Sequence, residues 1–189
     1  MKKDNPITYT KYNYLSEDDI RNILLESKSN FIHYILIGLF YSSGLTLQEL
    51  LKIKVKHINL DNMVIKYLRD KKRQSSYTSI PRDFHNSLIN LIYKKNPDDY
   101  LFGFKNKPLN IRTVQKIFVK LGDKVGKKIS SYIFRRSLAI HLYKNGWNER
   151  SISVFLGHSQ FQSTKKMLQG IDPFPDKQHP IDNMRLNAA

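Results

Sequence analysis

The side chains best suited to chemistry lie in the last third of the chain. In SSYIFRRSLAIHLYKNG, Tyr132 and Arg135 stand three residues apart, which on a helix puts a phenol and a guanidinium on one face. Further on, VFLGHSQFQSTKKMLQG carries His158 directly after a glycine and runs to Met167. A guanidinium offers paired N–H donors to an anionic group, and an imidazole and a phenol can each add one more. Such a set can hold an oxyanion. Each member also has a plainer role: Arg135 as a surface helix arginine, His158 as a residue bonding the last carbonyls of the helix that Gly157 ends. A separate basic cluster, Lys71, Lys72 and Arg73, lies in LRDKKRQS between two β-prone runs.

These residues need a framework, and the sequence describes one. Ser16 with Asp19 three residues on is a capping signature that opens a helix to about residue 28. FIHYILIGLFYSS, 31–43, reads as a buried helix stopped by Gly44, and TLQE at 46–49 caps a short one. Residues 63–68 and 76–80 alternate as strands around the basic tip, with Pro81 closing the second. Helices are expected at 83–94, 110–125, 131–145 and 148–156, with a last one ending before Gly170. The expected organisation is an arm at 1–14, one domain at 15–170 and an extended or disordered tail at 171–189. The fold class is mainly α with a small β-hairpin.

Charge narrows the partner. The chain has 32 Lys and Arg against 16 Asp and Glu, a formal +16. Residues 100–148 hold eleven of the basic residues, Lys127, Lys128, Arg135 and Arg136 among them, and one acid, Asp123. A basic surface of that kind points to nucleic acid. No cysteine is present, and the six histidines show no metal-ligand spacing, so neither metal nor cofactor is expected. The longest nearly continuous apolar run, 31–41, is too short to span a bilayer and suits a core helix. With no apolar region after MKKDNP, a cytoplasmic protein, or one in a viral host's cytosol, is the expectation.

In order, SGLTLQELLKIKVKHINLDN, the basic-tipped hairpin, and SYIFRRSLAIHLYKNGWNERSISVFLGHSQFQSTKKM resemble the catalytic domain of tyrosine recombinases and phage integrases over about residues 14–169. The resemblance implies duplex DNA as partner and a reaction in which a tyrosine attacks a phosphodiester. Two arginines and a histidine hold the nonbridging oxygens, and a hairpin lysine protonates the leaving oxygen. On that pattern Arg135 is an arginine of the site, His158 the histidine of the LGH segment and Lys72 or Lys71 the lysine. Lys71, Lys72, Arg73, Lys127, Lys128, Arg135 and Arg136 are the expected DNA contacts.

Three positions depart from the pattern. Thr46 stands in the first arginine's place, where its hydroxyl suits a helix cap. Tyr132 replaces the first histidine of the arginine helix. Met167, nine residues after His158, stands in the nucleophile's place, and a thioether cannot be deprotonated to attack phosphorus. No tyrosine occurs from Trp147 to Ala189.

The expectation is a DNA-binding member that does not cleave, acting as a regulator or accessory of an active recombinase. It is expected to lack the separate N-terminal domain that completes the family's clamp on DNA, and to self-associate through its tail. Arg135→Ala is expected to alter DNA binding little. Two alternatives stand beside it: an active recombinase whose nucleophile is Ser163, Thr164 or a group supplied by another protein, and a general RNA or anionic-surface binder.

Overall fold

The computed structural model describes residues 14–69, 74–104 and 106–171. The expected arm and tail lie outside the described residues, apart from Tyr14 and Ile171, as does the basic hairpin tip. The first helix, α1 (Glu17–Ser27), starts at the capping box legible in the sequence: the Ser16 hydroxyl accepts from the Asp19 N–H at 3.1 Å, and the Asp19 carboxylate accepts from the Ser16 N–H at 2.9 Å. Next comes α2 (Phe31–Ser43), apolar around its whole circumference and therefore central, with Ile35 to Phe40 buried. Gly44 ends it at φ +65°, and the Phe155 ring occupies the space a side chain would need there.

The short helix α3 (Leu47–Leu51) leads into a small antiparallel sheet of β1 (Ile58–Asn59), β2 (Val64–Arg69) and β3 (Gln74–Ser79), in that spatial order. The ladder pairs Ile65 with Thr78, Tyr67 with Ser76 and Arg69 with Gln74, so Tyr67 and Arg69 share the inward face with buried Ile65. A bond from the Thr78 hydroxyl to the Ser43 carbonyl, 2.8 Å, pins β3 to the end of α2. The expected helix at 83–94 is shorter: a 3-10 turn at Arg82–Phe84 runs into α4 (His85–Ile92). A two-stranded ribbon with no counterpart among the expected elements, β4 (Gly103–Phe104) with β5 (Lys107–Pro108), precedes α5 (Ile111–Val125).

The rest is helical: α6 (Ser131–Lys144), α7 (Glu149–Leu156) and α8 (Phe161–Leu168). Phe40, Phe118 and Phe134, from α2, α5 and α6, form a triangle of rings with centroids 5.6, 5.8 and 5.2 Å apart at the main core. A second cluster joins Leu138 and Ile140 of α6, Ile152 and Leu156 of α7, and Met167 and Leu168 of α8. The mainly helical fold with one small hairpin sheet agrees with the expected class. Among the described residues no helix is long and apolar enough to cross a membrane.

Candidate phosphate-binding cleft

Thr46 and His158 sit at helix ends, and Arg135 bonds two such ends. Thr46 caps α3 as its residue type suggests. Its hydroxyl accepts from the Glu49 N–H at 3.2 Å, and the Glu49 carboxylate accepts from the Thr46 N–H at 2.8 Å and from its hydroxyl at 2.9 Å. Two residues before Thr46, the Gly44 carbonyl accepts from Arg135 Nη1 at 2.5 Å, while Nη2 donates to the Leu156 carbonyl at 2.8 Å. Arg135 thus clasps the end of α2 to the end of α7, and it is only 9% exposed. Each terminal nitrogen carries a second hydrogen for another acceptor. Burial lowers its pKa to about 10; the nearby Glu49 carboxylate opposes that shift, and the Arg69 guanidinium adds to it. Arg135 remains a cation at neutral pH.

His158 follows the left-handed Gly157 that ends α7. Its backbone N–H closes the helix on the Ser153 carbonyl at 3.0 Å, and its imidazole turns to α8, with Nδ1 2.8 Å from the Thr164 hydroxyl. The plainer role proposed for it, bonding the last carbonyls through its ring, is filled by its backbone.

Two residues depart from their expected places. Arg136 was expected among the DNA contacts; it is 6% exposed, and its Nε donates to the Met167 carbonyl at 3.1 Å. That moves it from the surface into the α6–α8 seam, because Arg136 follows Arg135 by about 100° around the helix and so points at α8. Tyr132 was expected beside Arg135, but it lies 53% exposed in the first turn of α6, while Arg135 turns inward. Met167 is 7% exposed and packs in the second cluster. Lys127 and Lys128 are exposed on the α5–α6 connection, where Lys127 pairs with Asp19 at 3.3 Å. Lys71, Lys72 and Arg73 lie outside the described residues.

A cleft of about 680 Å³ opens between the inward face of the hairpin and α7, walled by Tyr67, Arg69, Thr78, Trp147, Arg150 and His158. Arg69 and Arg150 were missed in the sequence. Strand alternation was the available signal for Arg69, since it places Arg69 on the face of Ile65 and Tyr67. Among the described residues no group of three or more His, Asp or Glu is placed to hold a metal.

Residues 13–169 match the model of the phage integrase family, and the chain belongs to that family. It is 29% identical over 164 residues to a tyrosine recombinase of Pseudothermotoga lettingae, an overlap of 84% of this chain and 57% of that protein. With a probable integrase/recombinase of Acholeplasma phage L2 it shares 29% identity over 150 residues, 77% of this chain and 52% of the phage protein. The chain therefore spans a little over half the length of these relatives. Its fold matches the crystal structure of XerA recombinase with TM-score 0.75 at 22% identity, over 84% of this chain and 61% of that one. It also matches XerH recombinase bound to its difH substrate with TM-score 0.72 at 18% identity, over 85% of this chain and 51% of that one.

Proposed function

We propose that this chain is a duplex-DNA-binding member of the tyrosine recombinase family that does not cleave DNA. The observation that carries the reading is the state of Met167. At the position nine residues after His158, where the family resemblance puts the attacking tyrosine, a 7%-exposed thioether packs among Leu138, Ile152 and Leu156. A core methionine supplies packing and no nucleophile. Phosphate-directed charge is retained: Arg135 stays cationic, Arg69 and Arg150 line the cleft, and the chain carries +16 overall. The solved XerH complex with difH shows a relative of this fold holding DNA. A chain with the grip and without the attacking group fits a regulator or accessory of an active recombinase.

One observation favours a different chemistry. Thr164 and His158 stand 2.8 Å apart, the arrangement of a hydroxyl nucleophile and its base. Thr164, however, has no exposed surface, so attack on a DNA phosphorus would require α8 to leave the core. The RNA-binding alternative rests on charge alone. Competition of duplex DNA against duplex RNA, repeated across salt concentrations, tests the leading reading. Preference for DNA with affinity falling steeply as salt rises is expected; equal affinity for RNA, or no binding at low salt, overturns it.

A further inference from the structure

Arg69 occupies the end of β2, at the mouth of the cleft and next to the described edge of the hairpin. Its guanidinium donates through Nη2 to the Tyr67 hydroxyl and, at 3.4 Å, to the Phe155 carbonyl. It lies 5.1 Å from the Tyr67 ring centroid. Beneath it is Gly157, where a methyl group would overlap Nη1. The glycine therefore serves two ends: it takes the left-handed turn after α7, and it leaves room for the guanidinium beside His158.

The charges around this group are unbalanced. Arg69 lies close enough to Arg135 for the two cations to repel, and the carboxylate set against Arg135 is Glu49, already tied to the cap at Thr46. Arg150 adds a third guanidinium to the cleft, and among the described lining residues there is no acid. Arg69 and Arg135 also differ in freedom. Both terminal nitrogens of Arg135 are held by carbonyls in a buried setting. Arg69 is half-buried, and the hydrogen bonds described for it run through Nη2, so the hydrogens on Nε and Nη1 remain to donate to phosphate oxygens.

We propose that Arg69 is the phosphate-gripping arginine of this cleft, presented from the hairpin beside His158 and Arg135 where Thr46 no longer offers a guanidinium. The proposal rests on the DNA-binding reading above and adds a residue to it. Arg135 then acts chiefly as a positioning residue, fixing the two helix ends that frame the cleft.

Salt-titrated binding of a fluorescein-labelled DNA duplex to the unaltered protein, Arg69→Met and Arg69→Lys tests it. Methionine keeps the packing of the stem and removes the charge; lysine keeps the charge and loses the fork. Loss of one phosphate contact lowers the slope of log affinity against log salt by about 0.9, so between 50 and 200 mM salt Arg69→Met loses about 3.5-fold less affinity than the unaltered protein. Arg69→Lys is expected to restore the slope and only part of the affinity.

An unchanged slope and affinity in folded Arg69→Met overturns the role of Arg69 and leaves the DNA-binding reading standing. No binding by the unaltered protein overturns both. If Arg69→Met shows no cooperative thermal transition, the unaltered protein carries the test. Its Arg69 Nε–Hε NMR resonance, assigned by its loss in Arg69→Lys, shifts on adding duplex if the proposal holds and stays in place if it does not.

Discussion

Two faces of α6 have gone different ways. On one, Arg135 ties Gly44 to Leu156, next to a cleft that Arg69, Arg150 and His158 line. On the other, Ile140 and Arg136 turn to α8, and the chain packs a methionine where the family pattern calls for a tyrosine. A long-range electrostatic grip tolerates a change of residue, because charge can be supplied from several nearby positions. A nucleophile does not, because attack needs one atom of one chemical type in one place. The proposed loss of chemistry with retention of charge follows from that asymmetry.

Arg135→Ala sharpens the contrast most. It strips two buried carbonyls of a charged donor and unties α2 from α7, and urea denaturation is expected to show a loss of about 3–5 kcal/mol. Duplex binding is expected to weaken as well, in place of the small effect expected from the sequence, because Arg135 braces the helix ends beside the cleft. Wild-type stability in Arg135→Ala would return Arg135 to the surface role.

Met167→Ala comes next, at about 3 kcal/mol by the same measurement, while Met167→Leu should cost less than about 1.5 kcal/mol because volume and polarity are kept. Equal, negligible costs for both would mean that α8 is not seated in the second cluster. Gly157→Ala should cost about 1–2 kcal/mol for the left-handed backbone alone. It should also weaken duplex binding by displacing Arg69, and unchanged binding would separate Arg69 from the site.

The smallest effect is a pH dependence set by buried and half-buried histidines. Burial lowers the pKa of His141, opposed by the Glu17 charge and reinforced by Lys144; its Nδ1 stands 2.5 Å from the Tyr41 hydroxyl. His33 and His57 are lowered too, burial being the largest cause for each. Below the ordinary histidine pKa of 6.5 the unfolded chain binds protons that the folded one refuses, so stability falls as pH drops from 6.5 toward the folded values. Thermal melts at pH 7 and pH 5 should show the decrease, and His141→Gln should flatten part of it.

Much of this was legible in the sequence, and the limits have physical causes. Capping boxes at Ser16 and Thr46 and glycine stops at Gly44 and Gly157 are local, so composition and spacing find them. Arg135 and His158 stood out through the resemblance to the recombinase pattern, and Thr46 and Met167 as departures from it. What spacing did not convey was direction. Arg135 and Arg136 are neighbours in sequence, yet one turns to the ends of α2 and α7 and the other to α8, and no local signal separates two adjacent arginines. Strand alternation sets the face of Arg69 but not its neighbour Gly157, which is 88 residues away in the chain and under its guanidinium in the fold.

The central claim is that Met167 leaves the cleft with a grip and no attacking group. A nicked suicide duplex, incubated with the protein beside a catalytically active tyrosine recombinase as control and resolved on a denaturing gel, tests it directly. A salt-sensitive shift on a native gel with no denaturant-resistant band, while the control forms its adduct, is the predicted result. A band of protein covalently joined to a DNA end would contradict it.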